Sequence, residues 1–367
     1  MTTPIRVGII GANPNGSWGT RAHLPALAAL DDFAITAVAT SHQDTADATA
    51  RQFGAPFAFG DPSQLVALPE VDVVSVCVRV PAHFELVKMA LEAGKHVYCE
   101  WPLARNVAEA RELCQMADAH PHQVTMIGLQ ARHAPALHYV RDLLAAGEIG
   151  RVLACSLNHS VDWMPMLPSS LTYLQDFASG AHMLSIPGGH SIDAVRWLLG
   201  EFQQVSALVT TQIPAITVVD SGEKFPRTSP DQVLLSGIAG DGVITSVRIQ
   251  GGSPHGTGVV MEINGDKGDL VIRAEAGGRG IQMTDLRVHK TTGAGQLTAL
   301  DIPEAYFKVP ASIRANPPLN LANSYQALAG AIRHGDRVPN FHDALSLHQL
   351  LDELMTASRE RRVIGTA

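Results

Sequence analysis

The apolar positions in the first third of the chain fall into short, β-branched runs separated by stretches of helical period. Residues 5–10 (IRVGII) are apolar except for Arg6, and they give way to Gly11 and Gly16 and then to a pattern that winds as a helix. Residues 33–40 (FAITAVAT) alternate and predict a second strand, followed by a helix over 44–53, a short strand over 56–59 and a helical turn capped by Asp61-Pro62-Ser63. Residues 71–80 (VDVVSVCVRV) are apolar almost throughout, as suits a central parallel strand covered on both faces, and Pro81 stops them. A helix from His83 to Ala93 ends at Gly94, and strands follow at 96–99 and 124–129. Six strands with helical crossovers predict a doubly wound parallel sheet.

Beyond Gln130 the pattern changes. A helix over 134–146 leads into alternating strands at 152–159, 204–212, 232–238, 243–250, 259–264 and 269–272, with hairpin signals at Gly240-Asp241-Gly242 and Asn264-Gly265. A helix over 192–199 lies within this series, helices over 320–334 and 343–361 close the chain, and the Pro-rich stretch 302–318 reads as an irregular surface loop. The expected fold is α/β: an N-terminal Rossmann doubly wound sheet over residues 1–129, and over 130–367 a C-terminal α+β domain with a large, mostly antiparallel open sheet.

Composition narrows the class. With 367 residues, 46 % hydrophobic, the chain is long enough for two cores. A net charge of -8 without a basic block excludes the electrostatic footprint of a nucleic-acid binder. Cys77, Cys99, Cys114 and Cys155 form no C-x-x-C pair and read as reduced core residues. His120 and His122 lie in a loop without helical ligand spacing, so no metal is expected. The first strand starts too early for a signal peptide, and no apolar run approaches the roughly 18 residues of a membrane span, so a cytoplasmic protein is expected. The open face of the second sheet is a surface on which a homo-oligomer, a dimer or tetramer, is expected.

The chemistry concentrates at the first turn. A buried strand feeding Gly11, Ala12, Asn13, Pro14, Asn15 and Gly16 brings main-chain N–H groups and the positive end of a helix to one spot, which favours a pyrophosphate. Asn13 stands where the middle glycine of G-x-G-x-x-G belongs, and a bare glycine turn is the alternative. The second strand closes on Thr40, Ser41 and His42 with no acid to take both ribose hydroxyls, which leans towards NADP over NAD with Ser41 and His42 as phosphate contacts. Ser41 as a plain helix cap fits either cofactor.

Residues 8–25, 78–83, the run Ala93-Gly94-Lys95-His96-Val97-Tyr98-Cys99-Glu100-Trp101-Pro102-Leu103-Ala104, Gly188-Gly189-His190-Ser191-Ile192-Asp193 and Gly265-Asp266-Lys267-Gly268 together resemble the glucose-fructose oxidoreductase / inositol dehydrogenase (Gfo/Idh/MocA) family. The likeness is nearest its galactose-repressor-like branch, in the S-W-G-T-x-A-H-L-P-A segment, the Glu-Trp pair and L-Q-x-R over 129–132. The resemblance implies an NAD(P)-dependent oxidoreductase acting on a sugar, polyol or related carbohydrate, or, as in the repressor branch, a non-catalytic dinucleotide- or sugar-sensing regulator. It also implies cofactor contacts from Gly11, Ala12, Asn13, Gly16, Ser17, Trp18, Val78, His83 and Glu100.

The departures from the family matter. Where its enzymes carry the lysine of Glu-Lys-Pro, this chain has Trp101, whose indole N–H is a donor only and takes no proton. Where they carry an Asp four residues before the histidine, it has Ile186, which leaves His190 as the sole general acid or base. Capping of its helix is the alternative for His190. His182 is a candidate replacement for the missing carboxylate, and Trp101 a candidate to shape the site. His159, Asp162, Trp163 and Tyr173, from the expected mouth of the second sheet, and Asp193, one helical turn after His190, suit a sugar with its stacking faces and hydroxyls. Arg132 follows the last strand of the first domain, where it holds a phosphate or substrate oxygen or forms a solvated salt bridge.

Overall fold

The computed structural model describes residues 3–161, 166–252, 256–274, 280–292 and 295–366. The chain divides into two compact units, residues 1–130 with 307–346 and residues 131–306 with 347–367.

In the first unit, strands β1 (Ile5–Ile10), β2 (Phe33–Ala39), β3 (Phe57–Phe59), β4 (Val73–Val76), β5 (His96–Glu100) and β6 (Thr125–Gly128) form one sheet in the order β3-β2-β1-β4-β5-β6. Every pair in it is parallel. Helices α1 (Leu24–Ala28), α2 (Gln43–Phe53), α3 (Pro62–Val66), α4 (His83–Glu92) and α5 (Val107–Ala119) make the crossovers. The strand order reverses between β1 and β4, and at such a switch point the carboxyl ends of the strands open a ligand crevice. Asp61 caps α3 as its D-P-S sequence predicts, accepting the Ser63 N–H at 2.9 Å. The strand expected over 71–80 is shorter, because after Cys77, whose N–H still reaches the Ile10 carbonyl at 2.9 Å, the chain turns into a 3-10 turn at Val80–Ala82 around Pro81.

The second unit carries α6 (Pro135–Ala145), β7 (Val152–Ser160), β8 (Met166–Leu167), α7 (Gly189–Leu199), β9 (Phe202–Thr210), β10 (Ala215–Val218), β11 (Lys224–Pro226), β12 (Gln232–Ala239), β13 (Val243–Gln250), β14 (Val259–Gly265), β15 (Gly268–Ala274), β16 (Leu286–Thr292) and β17 (Gln296–Leu300). With β18 (Ile364–Gly365) they build a nine-stranded sheet, β17-β16-β15-β14-β7-β13-β12-β9-β18, and a small sheet, β11-β10-β8. The large sheet is antiparallel except where β7 pairs with β13. Its two faces are read directly from β13, where Val243, Thr245, Val247 and Ile249 are buried and Ile244, Ser246 and Arg248 exposed. Helix α7 packs on β13, and its residues 189–196 are all buried.

The expected boundary needs one correction. Residues 307–346 belong with the first unit and not with everything after Leu129. Helix α8 (Pro318–His334) sets Leu321, Ala322, Tyr325, Leu328 and Ala329 at helical spacing into one buried cluster with Ile5, Val7, Ile9, Leu24 and Leu27. Each such side chain contributes about 1.5–3 kcal/mol by leaving water, so the first core is completed only when the chain returns to it. The last helix, α9 (Phe341–Glu360), begins in the first unit and ends in the second.

Leu328 is 0 % exposed, so Leu328→Ala is expected to lower the stability of the first unit by about 2–5 kcal/mol in urea unfolding, whereas Val363→Ala, at a 56 % exposed position, stays within about 0.5 kcal/mol of the parent. Equal effects would place α8 outside the first core.

Candidate functional site

The first turn is built by close approach. Gly11 has φ +101°, and a Cβ there would lie 2.5 Å from the Cys77 carbonyl oxygen and 2.6 Å from the half-buried Val78 side chain. Only glycine lets the end of β1 pass so near the end of β4. Asn13 then organises the loop: its Oδ1 accepts the Asn15 N–H at 2.9 Å, its carbonyl accepts the Thr20 hydroxyl at 2.9 Å, and Thr20 in turn meets the Ser17 hydroxyl at 3.1 Å. Gly16 turns with φ +95° and no close neighbour. Ala12 is buried, and its carbonyl accepts the Thr49 hydroxyl at 2.8 Å. The glycine that permits tight helix packing is Gly19, where a Cβ would lie 2.9 Å from the Ala12 Cα. Sequence spacing alone missed it, because the loop is longer than G-x-G-x-x-G. One π-helical turn, Gly19–His23, runs into α1, and the Trp18 indole N–H beside it is buried with no partner among the described residues.

At the end of β2, the Thr40 hydroxyl is committed to the His42 carbonyl at 2.8 Å and the Thr45 hydroxyl at 2.6 Å. Ser41 and His42 are exposed. Helix α2 starts at Gln43 with His42 as its cap residue and no capping side chain, so Ser41 is not the helix cap that the sequence offered as an alternative.

The third group gathers at β5. Glu100 ends that strand, and its carboxylate accepts from His23 Nε2 at 3.0 Å and from Gln130 Nε2 at 2.7 and 2.8 Å. His23 Nδ1 lies 2.8 Å from the Tyr325 hydroxyl, which lies 2.9 Å from the Ser75 hydroxyl. Trp101, in a cis peptide with Pro102, is 4 % exposed. His83 differs from its expected cofactor role. It is buried, with Nδ1 2.8 Å from the Pro102 carbonyl and Nε2 3.1 Å from the Val78 carbonyl, and burial lowers its pKa. A neutral ring carries one N–H and so donates to only one of these two carbonyls. Of this set, Glu100 and His83 were legible in sequence; His23, Ser75, Gln130 and Tyr325 carried no signal, being far apart along the chain.

The second unit holds its own cluster. Arg132 and Asp193 form a two-pronged ion pair, Nε–Oδ2 2.9 Å and Nη2–Oδ1 2.6 Å, with side chains 13 % and 1 % exposed. The salt bridge that the sequence offered for Arg132 is formed, with Asp193 as its partner, and it is buried where a solvated one was expected. It anchors the chain after Gln130 to α7, one turn from His190. His190 is 3 % exposed, its Nδ1 is buried without a partner among the described residues, and burial, aided by neighbouring His159, lowers its pKa to about 3. His159, on β7, lies 2.8 Å from the Ser191 hydroxyl, with its pKa lowered by burial to about 4.

His182 belongs to a separate pair with His348. Its Nδ1 accepts the Ser185 N–H at 3.3 Å, its ring stacks on Phe177 at 4.7 Å, and burial lowers its pKa to about 4; that of His348 falls to about 3 for the same reason. Tyr173 sits in the 3-10 segment Ser169–Gln175, and Asp162 and Trp163 lie outside the described residues. Among the described residues no group of three His, Cys, Asp or Glu is placed to hold a metal, and the four cysteines are buried and unpaired.

A parallel sheet with a glycine turn at its switch point has the form of a dinucleotide-binding Rossmann unit, and a mixed sheet with a buried helix follows it along the chain. Residues 5–128 match the oxidoreductase family with an NAD-binding Rossmann fold, Gfo/Idh/MocA, and residues 135–274 match the C-terminal domain of Gal80p. The dehydrogenase aclE of Aspergillus oryzae is 33 % identical over 74 % of this chain and 77 % of its own length. The galactose/lactose metabolism regulatory protein GAL80 of Kluyveromyces lactis is 31 % identical over 75 % of this chain, which spans 65 % of that longer protein. A solved levoglucosan dehydrogenase in complex with NADH superposes with a TM-score of 0.84 at 25 % identity, covering 100 % of both chains. The chain belongs to the Gfo/Idh/MocA family of oxidoreductases.

The buried histidines set a pH dependence. Their folded pKa values, about 4 for His159 and His182 and about 3 for His190 and His348, lie below the roughly 6.5 of an unfolded histidine, so between these values the unfolded chain binds more protons. Stability is therefore full above about pH 6.5 and falls on acidification, by at most about 1.4 kcal/mol per pH unit for each histidine. Urea midpoints measured from pH 7 to pH 5 should fall less steeply in His182→Asn, which keeps an acceptor for the Ser185 N–H; an identical slope would contradict the assignment.

Proposed function

We propose that this chain is an NAD(P)-dependent oxidoreductase that acts on a sugar, polyol or related carbohydrate by hydride transfer at a carbinol or carbonyl carbon. The observation that carries the reading is the unpartnered Nδ1 of His190, since a buried polar atom without a protein partner is stabilised by a ligand hydroxyl. With its pKa lowered to about 3, the ring is neutral near pH 7 and accepts a hydrogen bond from such a hydroxyl. The relation to a levoglucosan dehydrogenase supports a carbohydrate as the class of substrate. Trp101 offers no base, so it shapes the site. His182, turned to the Ser185 amide, is left out of the proton path.

The residues present fit a dinucleotide, because Gly11 and Gly16 put no side chain on the turn and the buried Trp18 indole N–H beside it has no partner among the described residues, a donor left for a ligand. Gly11 to Ser17 hold the pyrophosphate, and the exposed Ser41 and His42, with no acid beside them, favour the 2′-phosphate of NADP. Bound nicotinamide supplies the hydride. We also take the protein to be cytoplasmic, and to self-associate as a dimer or tetramer through the sheet face that exposes Leu208, Leu234 and Ile244. Among the described residues no helix is long and apolar enough to cross a membrane.

A second reading is a non-catalytic sensor that regulates a partner protein. Two observations favour it: residues 135–274 match the Gal80p C-terminal domain, and Trp101 stands at the family's lysine position.

The test is nicotinamide absorbance with a panel of sugars and polyols and either cofactor. Turnover should be faster with NADP, and His190→Ala should lower kcat/KM by roughly 10²–10⁴ while leaving dinucleotide affinity intact. Silence across the panel with tight dinucleotide binding would favour the sensor.

A further inference from the structure

A one-way chain of hydrogen bonds runs through the first unit, and its direction follows from the chemistry of its end. Glu100 ends in a carboxylate that only accepts, so the His23 Nε2 facing it at 3.0 Å carries the proton. A neutral His23 then has a bare Nδ1, and the Tyr325 hydroxyl at 2.8 Å must donate to it. The Tyr325 oxygen in turn accepts from Ser75 at 2.9 Å. Burial raises the Tyr325 pKa well above its ordinary 10, so the hydroxyl keeps the proton it donates. His23, Ser75 and Tyr325 are all 0 % exposed, and the Tyr325 ring stacks on Tyr98 at 5.1 Å.

The opposite side of Glu100 is equally built. Gln130 donates to both carboxylate oxygens, and Gly128, paired with Glu100 across β5 and β6, makes the room: a Cβ there would lie 2.8 Å from Glu100 Oε1. Of about four acceptor sites on the carboxylate three are taken, two on Oε1 and one on Oε2. The side chain remains 13 % exposed at the carboxyl end of a strand beside the switch point.

We propose that His23 and Tyr325 are positioning residues for the dinucleotide site: they hold Glu100, the cofactor contact that the family resemblance implies, so that the one lone pair left among the described residues, on Oε2, faces a donor group of the cofactor, a ribose hydroxyl or a carboxamide N–H. The proposal rests on the dinucleotide reading above and deepens it. It gives the returning helix α8 a task beyond filling the core, because it delivers the hydroxyl that holds the His23 ring at Nδ1.

The test uses the full chain. Calorimetric titration with NADP and NAD should show Tyr325→Phe, which keeps the stacked ring, binding roughly tenfold more weakly, as one lost buried hydrogen bond implies. His23→Ala should lose at least as much, and His23→Gln, whose amide still donates to Glu100, should recover most of it. Nitrogen NMR of histidine-labelled protein without ligand should find His23 protonated on Nε2 in the parent and, because Glu100 still accepts there, in Tyr325→Phe. Parent-like affinity in Tyr325→Phe, or a His23 proton on Nδ1, overturns the proposal. Should His23→Ala fail to fold, Tyr325→Phe and the spectrum still decide. Binding without turnover would instead sink the oxidoreductase reading and leave this one standing, and a parent that binds neither dinucleotide would sink both.

Discussion

The approach of Gly11 to the Cys77 carbonyl is the constraint on which the first unit depends. A parallel sheet whose order reverses between β1 and β4 leaves a crevice only if the two strand ends diverge above a very close contact, and the left-handed glycine supplies that contact. Downstream geometry inherits it. Asn13 folds the loop back on itself, and Gly19 lets the helical turn sit on Ala12.

Burial governs the chemistry in both units. In the first, the Glu100 side chain is held in a largely dry setting by donors from His23 and Gln130, an arrangement that fixes its orientation. In the second, burial drives His159, His182, His190 and His348 to their neutral forms, so their role is to offer or accept hydrogen bonds and not to carry charge. Buried charge persists there as ion pairs, Arg227–Asp231 and Arg132–Asp193, and in the latter each charge is matched by two hydrogen bonds in the right geometry.

Local patterns were legible in the chain; distant partners were not. The alternation of strand and helix over residues 5–128 announces the parallel sheet, and the hairpin turns at Gly240-Asp241-Gly242 and Asn264-Gly265 announce the second. The helical period of Leu321, Tyr325 and Leu328 is plain as well, yet nothing local says that this helix completes the first core, because that contact joins residues some 300 positions apart. The same holds at the site. Arg132 and Asp193 each look available until a partner 61 residues away is seen to occupy them, and His83 looks like a ligand contact until two main-chain carbonyls claim its ring. His190 was legible as a chemical group, whereas its unpartnered nitrogen is a property of packing alone.

Affinity for the dinucleotide at the Gly11 turn is the claim that everything else presupposes. Calorimetry of the parent and of Gly11→Ala against NADP and NAD tests it most directly, with a thermal melt to show that the variant folds. One saturable site in the parent, and binding at least about tenfold weaker in a folded Gly11→Ala, is the predicted result. No heat with either dinucleotide in the parent, or undiminished affinity in the variant, would contradict it.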